Sequence, residues 1–144
     1  MKYIGLSLLV GLSFIGCTKS LVVKDVDNYI VTQESKSVAT KTDISANMAY
    51  DRMQSEDELI ILDVRNYNEI ALDGKIKKSI LIPLPALGLY LNKLDKNKQI
   101  IVYCHTGNRS LVAMDMLYNA GFSVANILGG IEAWKANHLP VKYK

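Results

Sequence analysis

The stretch QIIVYCHTGNRSLVAMDMLYNA, residues 99–120, decides how this chain folds. Gln99 to Tyr103 is a segment whose last four residues are apolar and rich in branched side chains, the pattern of a strand buried on both faces. Ser110 to Ala120 reads as an amphipathic helix, and Gly121 stands where a helix C-terminal cap needs a positive φ. Between the two, Cys104 follows the strand directly, and His105-Thr106-Gly107-Asn108 must turn sharply before the helix begins at about Arg109 or Ser110. A strand passing into a helix through so short a loop is a building unit of a parallel sheet.

The same alternation continues outward. Leu59 to Leu62, Ser79 to Pro83 and Val124 to Leu128 are apolar runs that read as three more strands. Helices are expected from a cap at Asp43 or Ser45 to about Gln54, from Pro85 to Leu94, and from Ile131 to Asn137, with Pro140 ending the last helical region. Strands interleaved with helices through short connections predict an α/β fold with a central, mainly parallel sheet. In such sheets ligands sit beyond the carboxyl ends of the strands, which is where Cys104 lies.

The loop after that strand has its own chemistry. A tight turn leading into a helix points successive backbone N–H groups into one concavity, and the helix end adds partial positive charge. A cysteine at its base is favoured as the thiolate by those amides and by Arg109, which makes Cys104 a nucleophile. The same amides can hold a persulfide or an incoming oxyanion. His105 could act as a proton donor, and it suits a rim position beside the nucleophile.

Composition narrows the classes. Across 144 residues, 17 Lys and Arg against 14 Asp and Glu leave a net charge of only +3 with no basic run longer than Lys77-Lys78, which argues against a nucleic-acid partner. Two cysteines and two histidines are too few for a disulfide framework or a Cys/His zinc site, so neither a metal nor an organic cofactor is expected.

The amino terminus reads as a targeting segment. Met1-Lys2 precedes an uncharged apolar run from Tyr3 to Gly16, too short for a bilayer span and the right length for a signal peptide. Phe14-Ile15-Gly16-Cys17 resembles a bacterial lipobox. The resemblance implies removal of residues 1–16, lipidation at Cys17, and a membrane partner reached through that lipid anchor. The protein would then be a lipoprotein of the cell envelope facing the periplasm or the extracellular side, with residues 17–42 as a polar tether and 43–144 as the folded domain.

Taken together, Leu62-Asp63-Val64-Arg65, Cys104-His105-Thr106-Gly107-Asn108-Arg109-Ser110, and Leu128-Gly129-Gly130-Ile131 with Trp134 and Leu139-Pro140 resemble a single-domain rhodanese, a sulfurtransferase. The resemblance covers Asp43 to Lys144 and implies a rhodanese-like sheet with helices on both faces. It implies that Cys104 takes a sulfane sulfur from a donor such as thiosulfate and passes it to cyanide or a thiol. The loop of His105, Thr106, Gly107, Asn108 and Arg109 would wrap around that sulfur, with Asp63, Arg65 and Ser110 in support. Asp63 and Arg65 could orient the loop or recognise substrate, or equally form a structural ion pair. Gly129-Gly130 suits a tight turn and close packing, and Trp134 suits the core. Phosphatases and arsenate reductases of related fold place five residues between Cys and Arg, whereas only four intervene here, a smaller cradle suited to a terminal sulfur. Gly74-Lys75-Ile76 departs from the family's usual Gly-His-Ile, and Lys75, Lys77 and Lys78 form a small basic cluster. A non-catalytic binding or sulfur-sensing module is the alternative.

Overall fold

The structure, a computed structural model, describes residues 38–56 and 58–143; the signal segment, Cys17 and most of the expected tether lie outside the described residues. In chain order the elements are β1 (Lys41–Ile44), α1 (Ala46–Ser55), β2 (Leu59–Asp63), α2 (Tyr67–Asp73), β3 (Lys75–Ile76) and β4 (Ile80–Leu81). They continue as β5 (Gln99–Tyr103), α3 (Asn108–Asn119), β6 (Val124–Ile127), α4 (Gly130–Ala136) and β7 (Val141–Lys142).

Five strands form one parallel sheet in the order β1-β6-β5-β2-β4, and β3 pairs antiparallel with β7. Being central, β5 has no solvent face, and Ile100, Ile101, Val102 and Tyr103 are all fully buried. Side chains alternate across the sheet. Ile100, Val102 and Cys104 pack on one side with Ala113, Met114 and Leu117 of α3. Ile101 and Tyr103 pack on the other with Ala46 and Ala49 of α1 and Ile131 and Trp134 of α4. Helices therefore cover both faces; the β5-α3-β6 connection returns to a parallel neighbour, whereas β1-α1-β2 crosses from the sheet edge past the positions of β6 and β5. Trp134 is core, its indole N–H donating to the Pro140 carbonyl at 3.0 Å and its ring edge-to-face with Tyr50.

Local readings met the fold with several changes. Ser45, not Asp43, caps α1, its Oγ accepting the Met48 N–H at 3.1 Å. Asp43 instead belongs to β1, where its carboxylate accepts from Asn126 Nδ2 at 2.8 Å. The sheet thus begins at Lys41, two residues inside the stretch expected to be tether; a polar edge strand with an exposed face carries no apolar run to announce it. The helix expected over Pro85 to Leu94 is two 3-10 segments, Leu84–Leu89 and Leu91–Lys93. Pro85 supplies no N–H and Gly88 is a poor helix former, so tighter, shorter turns replace an α-helix. The expected strand from Ser79 to Pro83 shrinks to Ile80–Leu81 because it lies at the sheet edge, with Ile80 half exposed.

Candidate active site

Cys104 lies at the carboxyl end of the central strand and is buried, with 1% of its surface exposed. The loop turns through Gly107, whose φ of 107° is the left-handed conformation that glycine adopts without strain. That turn aims the Gly107 N–H at Cys104 Sγ, 3.1 Å away. Ser110 Oγ stands 3.5 Å from the same sulfur and 2.9 Å from the Gly107 carbonyl oxygen, and its single proton can be donated to either. Burial pushes the Cys104 thiol up, but the Ser110 hydroxyl and the amides of Ser110, Gly107 and Arg109 outweigh it, and the net shift is downward. The site stabilises a thiolate. Ser110→Ala removes the side-chain donor and leaves the amides, so the pH profile of Cys104 alkylation by iodoacetamide is expected to move to higher pH without losing its single-group shape. An unchanged profile would show that the amides alone set the thiolate.

The loop is held from behind. The N–H groups of Ile131 and Glu132, in the first turn of α4, donate to the carbonyls of Cys104 (2.9 Å) and His105 (3.2 Å). These bonds turn the loop carbonyls outward, which leaves the amides to face the sulfur. Gly130 makes the approach possible: a Cβ there would fall 2.4 Å from the Cys104 carbonyl oxygen and 2.5 Å from that of His105. Gly129-Gly130 is thus the close-packing turn expected from sequence.

The remaining loop residues separate. Thr106 and Asn108 are exposed at the surface of the loop. His105 is about one third exposed, its Nε2 3.0 Å from Glu132 Oε1 and its Nδ1 3.5 Å from Asp73 Oδ2. Arg109 contributes its backbone amide to the sulfur, while its guanidinium makes two 2.7 Å hydrogen bonds to Glu69.

Asp63 and Arg65 form a fully buried ion pair. Asp63 accepts the Arg65 N–H at 3.0 Å, its Nε at 2.9 Å, its Nη2 at 2.7 Å and the Tyr103 hydroxyl at 2.7 Å. Arg65 Nη2 also donates to the Gly74 carbonyl at 2.7 Å, and the Tyr103 hydroxyl accepts the Ile76 N–H at 3.2 Å. The network ties β2 and β5 to the segment after α2. Of the readings left open by the sequence, the ion pair is the one the geometry carries.

Sequence reading missed α2 and with it Glu69. The signal was Asn66-Tyr67-Asn68-Glu69, an N-cap residue followed three positions later by glutamate. Glu69 Oε2 accepts the Asn66 N–H at 2.9 Å in addition to its bonds with Arg109. Arg109 above all, offset by burial, pulls the Glu69 carboxyl down from 4.5 to about 2. A depressed carboxyl stabilises the folded state fully above its unfolded value and loses that contribution as pH falls toward the folded value. Glu69→Gln is therefore expected to lower the urea midpoint at neutral pH, with variant and wild type converging as pH falls from about 4.5 toward 2. A constant offset through that window would place the stabilisation elsewhere.

Comparison with known proteins agrees with this geometry. A family model described as Rhodanese-like domain matches residues 45–137. A sulfurtransferase of Allochromatium vinosum is 28% identical over 100 residues, spanning 69% of this chain and 92% of that protein. The thiosulfate sulfurtransferase GlpE of Coxiella burnetii is 33% identical over 82 residues, spanning 56% of this chain and 76% of that protein. The crystal structure of a rhodanese-related protein from Thermoplasma volcanium superposes with a TM-score of 0.66 at 31% identity, covering 72% of this chain and 99% of that one. Because the family match runs from the Ser45 cap to the end of α4, it takes in the strand, the loop and the α4 turn that build the thiolate cradle, and the chain belongs to the rhodanese-like domain family.

Proposed function

We propose that the chain is a sulfurtransferase that carries sulfane sulfur as a persulfide on Cys104, taking it from thiosulfate or a similar donor and giving it to cyanide or a thiol. The observation that carries this reading is the buried sulfur with a backbone N–H at 3.1 Å and a net shift toward thiolate. The thiolate attacks the outer sulfur of thiosulfate, an S–S bond forms, the S–S bond of the donor breaks, and sulfite leaves with the electron pair. The loop amides stabilise the anionic terminal sulfur. Cyanide or a thiolate then attacks that sulfur, and the Cys104 thiolate departs as the leaving group, ready for the next cycle. No external oxidant or reductant enters this sequence.

The four-residue spacing between Cys104 and Arg109 supports sulfur over a phosphate ester as cargo. The envelope location and the lipid anchor at Cys17 belong to the same proposal and draw support from Phe14-Ile15-Gly16-Cys17, outside the described residues. Thiocyanate production from thiosulfate and cyanide, with intact mass recorded after donor alone, tests the reading. Repeated turnover with one added sulfur per chain is the expected result. Loading without turnover would assign the acceptor to a specific thiol or protein, and absence of loading would favour the binding-module alternative.

A further inference from the structure

The side of α2 turned away from the loop borders an open groove of about 550 Å³, lined by Tyr67, Ile70, Lys75, Leu81, Lys142 and Tyr143. The helix is a partition. Glu69 and Asp73, one turn apart, reach Arg109 and His105 of the loop, while Tyr67 and Ile70, three apart, line the groove.

Its charge is unbalanced. Lys75 and Lys142 are direct register partners across the antiparallel β3-β7 pair, an arrangement in which like charges destabilise each other. Lys75 Nζ donates to the Ser79 carbonyl at 3.1 Å, and among the described residues neither lysine has a carboxylate partner. Among the described residues no acidic side chain lines the groove. An anion bound there would relieve the repulsion that the fold retains. The walls are apolar and open, with Tyr67 73% and Tyr143 58% exposed. A small ligand needs fuller enclosure than that. Leu81 belongs to β4, the terminal strand of the sheet, which offers an edge to an extended segment.

We propose that this groove docks an extended segment of a partner protein in which carboxylates alternate with apolar side chains, and that this partner exchanges sulfur with Cys104. The second clause rests on the sulfur-transfer reading; the docking does not. A helix with its side chains is about 10 Å across, so a few residues beyond the docked segment would carry a thiol to the loop.

The test uses the full chain in detergent with two fluorescent ten-residue peptides, one alternating Asp and Val and one alternating Lys and Val, each ending in Cys. At low ionic strength the acidic peptide is expected to bind about tenfold or more tighter than the basic one, and Lys142→Glu to reverse that order. Thiocyanate production by Lys142→Glu should stay within about twofold of wild type, because Lys142 lies outside the sulfur cradle. Equal binding of the two peptides, or acidic-peptide binding indifferent to Lys142→Glu, would overturn the proposal. So would displacement of the peptide by dodecanoate at micromolar concentration, which would make the groove a site for small amphiphiles, or a self-association that Lys142→Glu abolishes, which would make the occupant a second copy. Acidic-peptide binding by a chain that transfers no sulfur would uphold the docking and remove the sulfur-transfer reading; turnover with cyanide but no peptide binding would do the reverse.

Discussion

Cys104→Ser is expected to abolish both the added sulfur after thiosulfate and the production of thiocyanate, a fall of about 10³-fold or more, as for loss of other covalent nucleophiles. The cradle itself should survive. A serine oxygen still accepts the Gly107 N–H and still lies near the Ser110 hydroxyl, so the buried amide keeps a partner. The melting temperature of the variant should stay within about 4 °C of wild type, which separates loss of chemistry from loss of fold. What serine cannot supply is a nucleophile. Its hydroxyl ionises far above neutrality, and the hydrogen bonds that tip a thiol toward thiolate do not bring an alcohol into range. Residual transfer near the wild-type rate would show that another group carries the sulfur, and the reading of the site would fall with it.

The second large effect falls on stability. Asp63→Ala is expected to cost about 3–5 kcal/mol, because it strips the buried Arg65 guanidinium of its counter-ion and the Tyr103 hydroxyl of its acceptor. Burial opposes the charge on Arg65, and the hydrogen bonds and charge of Asp63 overcome it, holding the guanidinium above its ordinary value. Removing Asp63 leaves the penalty without the compensation. The double variant Asp63→Leu/Arg65→Met removes both charges and should recover part of the loss, since apolar replacement of a whole buried pair is far less costly than breaking it. Urea unfolding of the two variants and wild type decides the matter. If the single variant unfolds at the wild-type midpoint, the pair does not hold β2 and β5 together.

The two experiments separate two parts of one site. The loop from Cys104 to Ser110 makes the thiolate, and its carbonyls are held by α4, its guanidinium by α2. The Asp63-Arg65-Tyr103 network lies on the other side of the sheet from the Cys104 sulfur's packing partners: Tyr103 packs with α1 and α4, Cys104 with α3. Neighbouring residues of one strand thus serve different purposes because the pleat sends them to opposite faces. A defect in the network should lower the folded fraction while leaving the reactivity of each folded molecule intact.

The strand, the loop and the helix of residues 99–120 were legible in the sequence because each rests on local chemistry. Branched apolar side chains specify a strand buried on both faces, a glycine permits the left-handed turn, and a helix must follow where the apolar period changes. Cys104 at the carboxyl end of the strand, Gly129-Gly130 as a packing turn and Trp134 as core followed from the same kind of reasoning. Only the tertiary structure decided the partners. Glu69 lies 40 positions from Arg109, on a helix too short to show a period, and its part as the clamp exists only once α2 packs beside the loop. Lys41 and Thr42 look like tether until β6 supplies the ladder that makes them an edge strand. Lys75 and Lys142 become neighbours only when β3 and β7 pair. Local conformation is set by the residues next in line, but charge balance and burial depend on which distant surface arrives, and no window of sequence contains that information.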